Sequence, residues 1–233
     1  MIKVRPASGP ARKLYDLLTA VPLIAWYLLG LSQLLPALEK QVALAKIFIQ
    51  TDYSVIPANL VLGIASKLCT LIFLALLVMM FTVRRTPLHY TSGLYPRFAA
   101  VAGTFLGVGI AMLPPAELST ALYSASLLLI LSGTVLATWT LIVLARSISI
   151  LPEARRLVTS GPYTFVRHPL YLAEFVILFG VALQYTPWAF LLLAAHSFFQ
   201  FQRLGYEERV LLRAFPEYES YAARTSRILP GLY

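Results

Sequence analysis

Long apolar stretches separated by short polar segments dominate the chain. The stretches cover residues 14–35, 56–83, 98–113, 118–145, 170–185 and 187–201. Because a membrane-spanning helix needs about 20 mostly apolar residues, the first, second and fourth stretches are each long enough to cross a bilayer. The last two are short and meet at Thr186-Pro187, which predicts a helical hairpin. The pattern therefore predicts an all-α, polytopic transmembrane bundle of about six spans.

The composition excludes most other classes of protein. Hydrophobic residues make up 59% of the chain and charged residues only 12%, whereas a soluble domain carries about 25% charged residues. Disordered chains need low hydrophobicity, so disorder is excluded as well. With the single cysteine Cys69 and three widely separated histidines, we expect neither a disulfide framework nor a bound metal.

The positive charges predict the orientation of the spans. Of the 19 lysines and arginines, 16 fall within residues 3–13, 84–97, 146–167 and 203–227, which six spans bring to one side of the membrane. Only Lys40 and Lys46 fall on the other side. The positive-inside rule then puts both termini in the cytoplasm. The net charge of +9 is explained by this topology and by contact with anionic lipid, so we expect no nucleic-acid partner.

The character of the sequence changes near residue 146. Residues 1–145 are nearly uniform apolar helix and are predicted to form spans one to four. From residue 146 to 233, polar and aromatic residues occur at or just below membrane depth. Because polar groups are costly in a bilayer and tend to be functional there, we expect the functional residues to lie within residues 146–233.

The first informative block reads L-V-T-S-G-P-Y at residues 157–163 and R-H-P-L-Y at residues 167–171. Gly161-Pro162 indicates a turn, and Pro169 suits the first position of a helix. His168 and Arg167 would then lie at a helix N-terminus, whose free N–H groups attract anions. The same residues also suit the plain basic flank of a membrane helix.

The second block covers residues 203–221. Leu204, Leu211 and Tyr218 recur at helical spacing, which predicts an amphipathic helix at the cytoplasmic interface. We expect Pro216 to end or kink this helix. Arg203 and Glu207 are four residues apart and share a face, where they could form a surface ion pair or a site.

Together the two blocks resemble the isoprenylcysteine carboxyl methyltransferase family of membrane enzymes. The resemblance covers about a third of the chain, from Arg155 to the end. The family's second pattern, R-x-x-x-E-E followed by F-G-x-x-Y-x-x-Y, is present as Arg203, Glu207, Glu208, Phe215, Tyr218 and Tyr221. Pro216 stands where the family pattern has glycine.

The resemblance implies S-adenosyl-L-methionine as cofactor and the carboxylate of an isoprenylcysteine-like, lipophilic acceptor as the group methylated. It implies catalytic roles for Arg203, which would bind the acceptor carboxylate, and for Glu207, which would also contact the cofactor. The other expected cofactor-binding residues are Leu157, Val158, Tyr163, His168, Pro169, Leu170 and Tyr171. The resemblance thus makes residues 146–233, with the helical hairpin and the C-terminal amphipathic helix, the expected cofactor-binding catalytic region. We expect spans one to four to form the lipid-side wall of the acceptor site.

The chemistry is compatible with these roles. A sulfonium cation favours aromatic faces and carboxylates, and a carboxylate favours a bidentate arginine. Two other enzyme classes remain open. Phospholipid N-methyltransferases also carry an R-H-P-x-Y block, and NADPH-dependent membrane reductases of sterols or enones share a similar hairpin and C-terminal ending. A transporter or a structural membrane protein is a third alternative.

Overall fold

The protein is described by a computed structural model, which covers residues 2–4, 10–51 and 56–231. The outer ends of the two predicted regions, at residues 1 and 233, lie outside the described residues. The described part contains the helices α1 (Pro10–Thr51), α2 (Ala58–Val83), α3 (Leu94–Ile110), α4 (Thr120–Leu144), α5 (Pro169–Leu183), α6 (Trp188–Ala214) and α7 (Tyr218–Ala222). It also contains the short strands β1 (Ile2–Val4), β2 (His89–Thr91) and β3 (Glu153–Ala154). The prediction of an all-α bundle is confirmed, with a small sheet added.

Several helices are suited to a bilayer. Among the described residues, three stretches are long and apolar enough to cross a membrane, namely Asp16–Thr51, Ala58–Val83 and Thr120–Ser147. Their outer faces expose large apolar side chains such as Val61, Ile72 and Val135, which is favourable only against lipid. The helices α3 and α5 are apolar but shorter.

Two boundaries differ from the predicted spans. Helix α1 has 42 residues and continues well beyond residue 35, so Lys40 and Lys46 lie within the helix and not in a loop. Good helix formers fill the segment after Pro36, and their propensities favour continuation. Helix α6 likewise joins the predicted sixth span to the predicted amphipathic helix. It ends at Ala214, and Phe215 follows as its C-cap directly before Pro216, in agreement with the expected end of the helix.

Small residues allow the helices to pack closely. Helix α5 lies mainly along α4, and α6 lies mainly along α3, so the two arms of the predicted hairpin have different main partners. At Gly180 of α5, an added Cβ would come within 2.9 Å of the Ser126 carbonyl oxygen of α4. Such close backbone approach is typical of helix pairs in membranes, where apolar burial alone does not drive association.

A buried charge network connects the first two helices to the loop that precedes α5. Asp16 of α1 accepts hydrogen bonds from Arg84 at 2.8 Å and from Arg155 at 3.1 Å. Arg155 also donates to Glu153 of β3 at 2.7 Å. Each of these four side chains is at most 8% exposed. Strand β3 pairs with β2, and β2 pairs with β1, so backbone hydrogen bonds reinforce the same junction.

We expect Asp16→Asn to destabilise the fold by about 3 kcal/mol, because removing one partner of a buried ion pair leaves charge uncompensated. Thermal unfolding of the detergent-purified protein, followed by circular dichroism, measures the change. Glu39→Gln is the matched control, since Glu39 is an exposed carboxylate on the same helix. If Asp16→Asn unfolds no earlier than Glu39→Gln, the network does not stabilise the fold.

Candidate active site and acceptor chamber

A cavity opens where the segment 147–158, the start of α5 and the second half of α6 meet; we call it the polar cavity. Its volume is about 90 Å³. The predicted residues that line it are Leu157, Val158, Tyr163, His168, Leu170, Tyr171, Arg203 and Glu207. Pro169 is buried at the first position of α5 and does not line the cavity. The structure thus brings nearly all of the predicted residues to one place.

Local sequence explains how the first block reaches the polar cavity. Gly161 has φ +61° and begins a short 3₁₀ turn, a conformation that glycine adopts without steric cost. The turn buries Tyr163, whose carbonyl accepts a hydrogen bond from the Tyr221 hydroxyl at 2.7 Å. His168 then caps α5, and Pro169 begins the helix. The first-turn N–H groups of α5 therefore lie beside the cavity, where they can bind an anion.

Arg203, Tyr171 and Glu207 form the centre of the site. The Tyr171 hydroxyl donates to Glu207 Oε2 at 2.6 Å, and the Arg203 guanidinium lies 5.1 Å from the centroid of the Tyr171 ring. Arg203 also donates through Nη2 to the Ser149 carbonyl at 3.1 Å. Its buried Nε has no hydrogen-bond partner among the described residues. Arg203 and Glu207 are therefore organised around Tyr171 and do not resemble an exposed ion pair.

Glu208 is a structural centre that sequence reasoning missed. It accepts hydrogen bonds from His168 Nε2 at 3.2 Å and from Arg227, and it pairs with Arg167 at 3.0 Å. The Tyr218 hydroxyl adds a contact at 3.3 Å. The sequence feature that could have revealed this role is the adjacent pair Glu207-Glu208, because the side chains of consecutive helical residues point about 100° apart. Only one of the two can therefore face the polar cavity.

The C-terminal segment is hydrogen-bonded to the residues that precede α5. The backbone N–H groups of Arg167 and His168 donate to the carbonyl groups of Ser226 and Arg227 at 2.8 and 3.1 Å. Together with the Arg227 side chain on Glu208, these bonds hold the segment 226–227 against the N-terminus of α5. The segment therefore helps to fix the first turn of α5 in position.

The electrostatics of Glu208 follow from these contacts. Burial alone would raise the pKa of the Glu208 carboxyl. Hydrogen bonds from His168 and Arg227 and the nearby charge of Arg167 outweigh this effect and lower the pKa to about 2. Burial also raises the pKa of Tyr163 and Tyr218 above the ordinary value for tyrosine. The carboxyl is therefore ionised and the two phenols are neutral near pH 7.

A second cavity, which we call the apolar chamber, lies beside the polar cavity and has a volume of about 200 Å³. The residues common to both are Ile148, Ser149, Leu170 and Arg203. Side chains from all of the first four helices contribute to the chamber, among them Tyr27 of α1, Leu77 of α2, Val108 of α3 and Ala137 of α4. Arg203 therefore lies at the junction between a polar and an apolar compartment.

Glu208→Gln should lower the unfolding temperature at pH 7, because the carboxylate loses its charge. A group whose folded pKa is lowered stabilises the fold above its unfolded pKa and loses that effect as pH falls through the folded value. The gap between wild type and Glu208→Gln should therefore narrow as pH drops from about 4.5 towards about 2. Thermal unfolding of both proteins between pH 4.5 and pH 2 measures this difference in unfolding temperature. Glu219→Gln, at an exposed carboxylate, is the control. A gap independent of pH would contradict the charge-based explanation.

Comparison with known proteins gives three matches. Residues 121–218 match the family model for phospholipid methyltransferase, a region that includes the first sequence block and the second block up to Tyr218. The nickel-cobalt-cadmium resistance protein NccN of Alcaligenes xylosoxydans xylosoxydans is 35% identical over 82 residues, which are 34% of this chain and 38% of that protein. The cobalt-zinc-cadmium resistance protein CzcN of Cupriavidus metallidurans is 37% identical over 78 residues, 33% of this chain and 36% of that protein.

The matched region thus spans little more than a third of the length of these two relatives. The family match covers α4, α5 and α6 and reaches the start of α7, so it includes the helices that carry the polar cavity. The family match supports the expected resemblance to membrane methyltransferases. Residues 121–218 are similar to the phospholipid methyltransferase family, which belongs to the same integral membrane methyltransferase superfamily as the isoprenylcysteine carboxyl methyltransferases.

Proposed function

We propose that the protein transfers a methyl group from S-adenosyl-L-methionine to a lipophilic acceptor that enters from the bilayer. The observation that carries this proposal is the junction of the polar cavity with the apolar chamber at Arg203. A polar, charged cofactor and an apolar acceptor need separate compartments that meet at the reacting atoms. The arrangement also explains why such an enzyme resides in a membrane.

The residues of the polar cavity suit this cofactor. The aromatic rings of Tyr163 and Tyr171 and the carboxylate of Glu207 line the cavity, and a sulfonium cation favours all three. The N-terminus of α5, with His168 beside it, suits the cofactor's own carboxylate. When bound, the cofactor supplies an electrophilic methyl group.

The protein's own contribution is alignment and the exclusion of water. Tyr171 holds the Glu207 carboxylate with its hydroxyl and supports the Arg203 guanidinium with its ring. Arg203 in turn can direct free N–H donors at an anionic group on the acceptor. The apolar chamber would surround the hydrocarbon tail and keep water from the junction.

Two acceptor classes suit Arg203. One is the isoprenylcysteine-like carboxylate that the resemblance implies, and the other is a phospholipid whose phosphate pairs with Arg203 while its amine is methylated. The guanidinium fork suits carboxylate and phosphate equally. We also propose that the polar cavity faces the cytoplasm and that both termini are cytoplasmic, because arginines cluster around the cavity.

The cofactor assignment predicts a binding result. Calorimetric titration of the purified protein should show saturable binding of S-adenosyl-L-methionine and S-adenosylhomocysteine, and no binding of NADPH. Glu207→Gln should weaken binding of the sulfonium ligand by about tenfold, because a charge–charge contact is lost. Tyr171→Phe should have a smaller effect, since only the hydroxyl bond to Glu207 disappears.

Glu219→Gln, a change at an exposed carboxylate of α7, serves as the control and should bind like wild type. Binding of NADPH alone would instead support the membrane reductase. In that case the two sequence blocks would be a shared scaffold and not a methyltransferase site.

The acceptor assignment predicts a different kinetic effect for Arg203. Arg203→Lys should raise the KM for the acceptor about tenfold and leave the dissociation constant of the cofactor nearly unchanged, because lysine keeps the charge but loses the fork. Arg213→Lys is the control, since Arg213 is an exposed arginine on the same helix. If Arg203→Lys weakened cofactor binding and left the KM for the acceptor unchanged, the assignment of Arg203 to the acceptor would be wrong.

A further inference from the structure

Glu174 places a carboxylate on the wall of the apolar chamber. It lies on α5, one helical turn beyond Leu170, which both cavities share. The side chain is half-buried, and it lines the chamber and not the polar cavity. Carboxylates inside membrane segments are costly and usually functional, yet the proposed function so far uses Arg203 and Glu207 only.

The position of Glu174 is defined by its neighbours. Gln200 of α6 donates through Nε2 to Glu174 Oε2 at 2.5 Å. The other end of the same amide accepts from Arg203 Nη1 at 3.4 Å. Gln200 is itself fixed against α3, because a Cβ at Gly103 would lie 2.9 Å from its Oε1. A hydrogen-bonded chain therefore connects Glu174 to the arginine at the junction.

The charge at this position discriminates between acceptor chemistries. A carboxylate acceptor is already ionised at pH 7 and has lone pairs free to attack, so it needs no base. Glu174 would repel it. An amine with a pKa near 10 is protonated in all but about one molecule in a thousand at pH 7, and its lone pair becomes available only after the proton leaves. Glu174 would attract the ammonium form and could accept that proton.

We infer that Glu174 accepts a proton from the nucleophilic group of the methyl acceptor, and that this group is an amine and not a carboxylate. The inference rests on the proposed methyl transfer. An N–H bond of the ammonium form breaks, its electron pair stays on nitrogen and the proton moves to a Glu174 oxygen. The freed lone pair forms the N–CH₃ bond while the carbon–sulfur bond of the methyl donor breaks and its electron pair stays on sulfur. The proton on Glu174 returns to water when the product leaves.

Arg203 and Glu174 then have complementary roles. The acceptor would carry an anionic group on Arg203 and an ammonium group on Glu174, linked by a short spacer and attached to a hydrocarbon tail. The charged or titratable groups that interact with Glu174 are Tyr27 of α1, Tyr171 of α5 and Arg203 of α6. Of these, only Arg203 is charged near pH 7.

The first test measures binding without the cofactor, so it is independent of turnover. Lysophosphatidylethanolamine and lysophosphatidylglycerol of equal chain length share the tail and the phosphate, and only the first has an amine. Wild type should bind the amine lipid about tenfold more tightly, and Glu174→Gln should bind the two equally. Glu174→Asp keeps the carboxylate and should keep the preference. Glu117→Gln, at an exposed site, is the control.

The second test follows methylation of the amine lipid against pH. Glu174→Gln should lose about a hundredfold in rate near pH 7, within the range of general-base catalysis. Its rate should recover as pH rises towards the amine's own pKa. The dissociation constant of S-adenosylhomocysteine should not change. A residue that only balanced the charge of Arg203 would produce no such recovery at high pH.

Two results would overturn the inference. One is that Glu174→Gln keeps the lipid preference and the wild-type pH profile. The other is that wild type methylates N-acetyl-S-farnesylcysteine and Glu174→Gln does so equally well. Failure of wild type to bind either adenosyl ligand would overturn the proposed function itself, and the cofactor-free lipid preference would still report on Glu174.

Discussion

The site depends on the position of one cation, the guanidinium of Arg203, at the boundary between a polar cavity and an apolar chamber. A charge at this depth is stable only if fixed groups replace water, and the protein supplies the Tyr171 ring, the Ser149 carbonyl and the Gln200 amide. Two carboxylates are linked to this arginine through one intervening side chain each, Glu207 through Tyr171 and Glu174 through Gln200. The arginine therefore organises both compartments without being neutralised by a direct ion pair in the described structure.

The neighbouring residues Glu207 and Glu208 of α6 point in different directions and make different contacts. Glu207 faces the polar cavity, where it can meet a cofactor. Glu208 points away and binds Arg167, His168 and Arg227, which fixes the N-terminus of α5 against the C-terminal segment. The first turn of α5 must be held rigidly if its N–H groups are to bind an anion, so the structural role of Glu208 supports the chemical role of its neighbour.

The rest of the bundle positions these elements. Close packing of α5 on α4 depends on small residues such as Gly180, and the Asp16 network connects α1 and α2 to the segment before α5. The same first four helices line the apolar chamber. The contacts that stabilise the bundle therefore also determine the shape of the apolar chamber.

The sequence by itself determined the apolar helices and the break at Pro216, because hydropathy and proline stereochemistry are local features. Through the resemblance of its two blocks it also indicated eight of the residues that line the polar cavity. Tertiary structure decided the rest. Helices α5 and α6 have different main partners. The roles of Glu208 and Glu174 depend on groups 40 and 26 residues distant in the chain. No local pattern encodes such contacts, since they arise only when separate helices pack together.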